Sequence, residues 1–208
     1  APISRRRSRP LETMTPRTSP LAGFLDPRME GLVGEAGPGV RLSTRTDLAL
    51  TQVAAWPDTA AEVATKLAFA AAVDAPPPPG RVAAGPGGAL VRVGPLKWWM
   101  LDAADADALP RFAPEAAATL DLSHEQTPIR VAGRDAAALL ARIVAVDLRD
   151  AAFPVGAFAA TGGHHAMLKL WRREAEAFEL FAMRSFARHV WETLLAHARQ
   201  FCAELRRR

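Results

Sequence analysis

The chain has 208 residues, half of them apolar and 23% charged, with one cysteine and a formal charge of +4 at neutral pH. That length fits one large domain or two small ones, and folding at this size removes about 70% of the extended-chain surface from water, so a core forms without staples. Cys202 alone makes neither an intrachain disulfide nor a cysteine-cluster metal site, and the longest apolar run, Leu67–Val73, falls far short of the roughly 20 residues of a membrane helix.

The charge is unevenly placed. Residues 1–17 carry +4 and Arg206–Arg208 add +3, which leaves −3 for the body between them. A folded basic face, the footprint of a nucleic-acid binder, is therefore not expected. The two ends read as solvated tails, able to touch an acidic partner. No apolar stretch follows the basic first residues, so no secretory signal is expected. A reducing, cytoplasmic setting and no membrane association are the expectation.

Residues 1–20 are rich in Arg, Ser, Thr and Pro and read as an extended or disordered basic arm. Ser19–Phe24 is the first anchoring point, and a glycine-rich connector follows. Residues 40–56 alternate apolar and polar positions and predict strand, in one or two pieces. Residues 60–72 predict a helix with Val63 and Leu67 on one face. Pro76–Pro79 end it and impose polyproline geometry. Residues 89–101 predict strand broken at Gly94-Pro95, and Asp102–Phe112 a weak helix capped by Asp102 or Asp105.

The second half is clearer. Ala118–Leu122 and Ile129–Val131 predict strand, with Pro128 demoting what lies between. Arg134–Val144 predicts a helix, residues 147–158 a loop with Phe153-Pro154 tucked under. Met167–Trp171 and Phe178–Met183 predict a hairpin around the polar turn Arg172–Glu176. From Ser185, a plausible N-cap, an apolar stripe through Val190, Trp191, Leu194, Ala198, Phe201, Cys202 and Leu205 predicts a helix to about Leu205. The order points to an α+β fold of two ferredoxin-like βαβ-type halves with antiparallel sheets, residues 21–115 and 116–208.

The wording of several segments carries more. SPL at 19–21, GPLKWWML at 94–101, LDLSHEQTPIRVAGRDAAALLARIVAVDLRDAAFPVGAFAATG at 120–162, LKLWRR at 168–173 and RSFARHVWETLL at 184–195 resemble the gamma subunit of heterotetrameric sarcosine oxidase. The resemblance spans roughly 19–205 and is strong from 120 on. It implies a fold similar to the folate-binding domain of the glycine-cleavage T-protein. It also implies a complex with alpha, beta and delta subunits that oxidatively demethylates sarcosine to glycine, yielding hydrogen peroxide and methylene-tetrahydrofolate. FAD, FMN, NAD, tetrahydrofolate and zinc are implied on those partners, with no catalytic, cofactor or metal site on this chain. Its role is then assembly and support of the alpha-subunit folate region. Similar subunits serve N-methylglutamate dehydrogenase and other complexes that oxidise N-methyl amino acids, and the substrate is left open.

The residues themselves offer little chemistry. Adjacent His164 and His165 diverge if they lie on a strand, which leaves a turn-edge pair as the plain reading. Ser123, His124 and Glu125 are consecutive and cannot converge as nucleophile, base and orienter. His189 and His197 fall off the apolar stripe, facing solvent or an interface. Gly85-Pro86-Gly87-Gly88 and Gly162-Gly163 lack the strand-to-helix setting of a phosphate loop. Trp98-Trp99 place one ring on each strand face, one in the core and the other against a subunit or against further core. Arg184, whose charge opposes a helix start, and Ser185 are further interface candidates. Two rival readings remain: a stand-alone folate-binding transferase-like protein, for which Asp121 and Asp147 are the acids to test against a pterin, and a nucleic-acid adaptor using the basic tail.

Overall fold

Adjacent tryptophans on one strand point to opposite faces, and Trp98-Trp99 organise the molecule on that rule. The computed structural model describes residues 18–24, 28–31, 37–104 and 109–207. In chain order the elements are β1 (Arg28–Glu30), β2 (Val40–Thr44), β3 (Leu50–Ala55), α1 (Ala60–Ala71), β4 (Val82–Gly85), β5 (Gly88–Gly94), β6 (Lys97–Leu101), β7 (Ala117–Asp121), β8 (Gln126–Ala132), α2 (Ala136–Leu140), β9 (Phe158–Gly163), β10 (Ala166–Glu174), β11 (Ala177–Met183), α3 (Ala187–Ala198) and β12 (Ala203–Arg207). They form a seven-stranded sheet, β1-β12-β2-β8-β11-β10-β9, and a five-stranded sheet, β4-β5-β6-β3-β7.

The two sheets pack face to face, with helices outside. Trp98 joins Val53, Leu67, Leu90 and Met100 beneath α1. Trp99, on the other face of β6, joins Leu50, Val91, Phe158, Trp171 and Phe181 between the sheets. Its ring meets Phe181 and Phe158 edge-on at 6.0 and 6.4 Å, the arrangement that aromatic quadrupoles favour. A third core, with Leu139, Leu140, Val190, Trp191 and Leu194, lies under α2 and α3.

The architecture is α+β with antiparallel pairing apart from β12 beside β2, as expected. Neither sheet is built from one half of the chain: β2 pairs with β8, and β7 pairs with β3. The five-stranded sheet carries one helix among its described elements, where a ferredoxin-like half has two.

Several expectations need correction. Pro128 lies inside β8, opposite Phe181 of β11. It is tolerated because the ladder to β2 has just ended at Thr44 and Ile129, and Thr44 Oγ1 donates to the Pro128 carbonyl at 2.6 Å. The last helix starts with a 3-10 turn, Arg184–Phe186, has no side-chain cap from Ser185, and ends at Ala198. Cys202 then takes a left-handed backbone (φ 51°), and the chain leaves as β12, with Ala203 and Leu205 buried. The helix of residues 134–144 is regular only over Ala136–Leu140. The described ends of Asp102–Phe112 are not helical, and Asp105 lies outside the described residues, as does the arm before Thr18. Strands β1, β4 and β9 were not expected.

The glycine-rich turn between β4 and β5 has a packing explanation. It lies against the carboxyl end of α1, where Gly87 N donates to the Ala71 carbonyl at 3.2 Å, and a Cβ on Gly87 would stand 2.1 Å from the Ala70 carbonyl oxygen. The negative end of a helix repels phosphate, so this turn is a close backbone approach. Gly87→Ala is expected to lower stability by more than about 1 kcal/mol, measured by urea denaturation. An unchanged midpoint refutes the contact.

Candidate functional site

The two tryptophans do not reach the surface. Trp98 and Trp99 are 3% and 2% exposed, covered by α1 on one side and the second sheet on the other. The expected subunit contact by one of the pair gives way to two-sided burial within the chain.

Arg184 and Ser185 are exposed, at a place where four segments meet. A shallow cleft of about 460 Å³ is lined by Pro20, His124, Glu125, Met183, Arg184 and Ser185. It adjoins a narrow polar recess of about 30 Å³ that reaches Arg45, Ser123, Gln126 and Thr127, room for about one water molecule. The Arg184 guanidinium donates to the Thr18 carbonyl at 2.7 Å, and its backbone N–H donates to the Glu125 carbonyl at 2.6 Å. Arg184 thus ties the chain's first described segment to the β7–β8 turn, which offsets its unfavourable place before a helix. Gln126 is 4% exposed, gives its amide N–H to Glu125 Oε1 at 3.0 Å, and keeps a buried carbonyl oxygen without a protein partner.

Ser123 is not poised for nucleophilic attack. Its hydroxyl accepts from Leu50 N–H at 2.9 Å and donates to the Leu50 carbonyl at 3.4 Å, pinning the turn to β3. His124 and Glu125 are exposed.

Behind the recess lies a buried carboxylate that the sequence reading missed. Glu179, 2% exposed, faces the five-stranded sheet from β11. Arg173 donates to it at 2.9 Å, and Arg45 stands 3.7 Å away while also pairing with Asp102. Burial pulls the Arg45 guanidinium down, but Asp102 and Glu179 outweigh it and hold its pKa above the ordinary arginine value. The signal was one acid inside the otherwise apolar strand Phe178–Met183.

His164 and His165 are the turn of the β9–β10 hairpin, both with positive φ (45° and 65°). They do not lie on a strand as assumed. The His164 ring lies 5.6 Å from that of His197, and its carbonyl is 2.8 Å from His189 Nε2. Among the described residues no group of three or more His, Cys, Asp or Glu is placed to hold a metal ion. Gly162-Gly163 end β9 rather than open a helix.

Neither acid of the folate reading lines the cleft or the recess. Asp121 accepts from Ser123 N–H at 2.8 Å in a surface turn. Asp147 is exposed beside Arg149, whose side-chain hydrogen bonds hold its pKa at about 2.

No protein-family model and no curated protein sequence matches the chain. Solved structures do, and two of them are informative about the fold. One is a chain of heterotetrameric sarcosine oxidase from Corynebacterium sp. U-96, solved in complex with pyrrole 2-carboxylate, with TM-score 0.73 and 24% identity over 89% of this chain and 96% of that one. The other structure is the glycine cleavage system aminomethyltransferase T from Bartonella henselae, with TM-score 0.58 and 17% identity over 86% of this chain and 57% of that one. The fold is of the T-protein type. At these identities the likeness concerns the fold. Among the described residues no helix is long and apolar enough to cross a membrane.

Proposed function

We propose that the chain is the gamma-type subunit of a sarcosine oxidase complex, an assembly component without an active site of its own. The observation that supports this most is coverage: the similarity to one chain of the heterotetrameric enzyme extends over 96% of that chain. On this reading alpha, beta and delta chains bring the flavins, NAD, tetrahydrofolate and zinc, and this chain braces the folate region of the alpha subunit. Arg184 and Ser185, exposed at the mouth of the cleft, meet a partner there. The hydroxyl of Ser123 and the carboxylate of Glu179 are already engaged in holding strands and sheets together, which suits a structural part.

The test is co-expression with the partner chains and recovery through a tag on this one. The expected result is stoichiometric recovery of the other chains with flavin absorbance. Recovery of this chain alone overturns the reading. Micromolar folate binding by the isolated chain in equilibrium dialysis favours the stand-alone transferase instead. Turnover of the recovered complex with sarcosine and with N-methylglutamate then assigns the substrate.

A further inference from the structure

Strand β9 is the last of its sheet, with β10 on one side. Along an antiparallel strand the backbone groups point alternately to one side and to the other. The Phe158 N–H points away from β10 and donates to the Gly80 carbonyl at 2.9 Å, and Arg81 bridges to Ala157. By the same alternation Ala160 and Gly162 turn their N–H and C=O groups outward. The segment that would continue the pairing is Pro76–Pro79, which has no N–H to give. Among the described residues no backbone group pairs with Ala160 or Gly162 on that side. Strand edges are ordinarily guarded by charge, proline or a bulge. Phe158–Gly163 has no charged residue and no proline, and it pairs with β10 without a register shift. Ala160 and Gly162 are exposed, and a Cβ on Gly162 would meet nothing within 4 Å. Beside this edge opens a mostly apolar groove of about 480 Å³, lined by Pro79, Arg92, Val93, Pro95, Phe158 and Ala160. Arg92 donates to the Pro95 carbonyl at 2.6 Å, while its buried Nε–H has no acceptor among the described residues.

We propose that β9 is a docking edge, where an extended, acidic segment of a partner chain adds to the sheet as a further strand. The segment exchanges backbone hydrogen bonds with Ala160 and Gly162, taking up the line of pairing that Gly80 leaves. Its alternate side chains lie along the groove, and a carboxylate among them answers the Arg92 guanidinium. Charge complementarity selects this occupant. No Asp or Glu lines the groove, and Arg81, exposed at the bridge to Ala157, adds a second cation whose Nη1 reaches the Val155 carbonyl at 3.3 Å. A basic segment would set like charges together. This contact is separate from the Arg184 cleft, and it rests on the subunit reading, since it needs a partner chain.

The experiment compares amide hydrogen exchange in the full chain alone and in the complex recovered through it. The amides of Ala160 and Gly162 are expected to exchange about ten-fold more slowly, or slower still, in the complex. Unchanged exchange in a recovered complex overturns this inference and leaves the subunit reading standing. Failure to recover any partner chain overturns both. Slow exchange in the chain alone, with a dimer in sedimentation, gives the edge to a second copy and also overturns the proposal. Ala160→Pro removes the outward N–H and spares the ladder to β10. It is expected to lower recovery of the partner chains about ten-fold at an unchanged urea midpoint. Arg92→Glu is expected to lower recovery in the same direction. Full recovery with Ala160→Pro overturns the added strand, and full recovery with Arg92→Glu overturns its acidic character.

Discussion

Trp99→Ala is expected to cost about 4 kcal/mol of stability, in the range for truncating a buried aromatic side chain. The ring is the centre of the layer between the sheets, in edge contact with Phe158 and Phe181 and beneath the Lys169 ammonium. No partner is positioned to collapse into the gap, because Phe158 and Phe181 are fixed on separate strands of the opposite sheet. Urea denaturation measures the loss. A loss under about 1 kcal/mol, typical of a surface position, would show that the ring does not hold the sheets together.

The second large effect falls on Glu179. Its carboxylate is 2% exposed and faces Arg173 and Arg45. Removing the carboxylate leaves the part-exposed Arg173 without its acceptor, while Arg45 keeps Asp102, at a cost of about 2 kcal/mol, less than for a fully buried pair. Glu179→Ala is therefore expected to be the smaller of the two effects. Glu179→Gln is expected to cost less, since the amide oxygen still accepts from Arg173. Equal stability of wild type and Glu179→Ala contradicts the account of this cluster.

Periodicity was readable where one period held alone. The alternation in residues 40–56 gave β2 and β3, and the helical spacing of Val63 and Leu67 gave α1. It failed where two periods coincide. Ala198, Phe201, Cys202 and Leu205 fit steps of three and four, yet Ala203 and Leu205 equally fit a strand, and the left-handed turn at Cys202 decides for the strand. Strand β9 escaped notice because Phe158–Gly163 is made of small residues and glycine, without β-branched alternation apart from Thr161. The Trp98-Trp99 pair was read correctly as two-faced. What covered the second face depended on a sheet whose strands come from distant parts of the chain, and local pattern does not carry that. The same holds for the cleft: Thr18, Glu125 and Arg184 meet only through tertiary pairing. Lys169 meets the Trp99 ring of the opposite sheet, and Glu179 acquires its character from Arg173 on the neighbouring strand and from Arg45 beyond β2.

The central claim is that this chain contributes structure while its partners contribute the chemistry. It is tested most directly by hydrogen peroxide release on addition of sarcosine, assayed on this chain purified alone and on the four-chain complex recovered through it. The account predicts no release from the chain alone and sustained release from the complex. Sustained, sarcosine-dependent release from the isolated chain contradicts it.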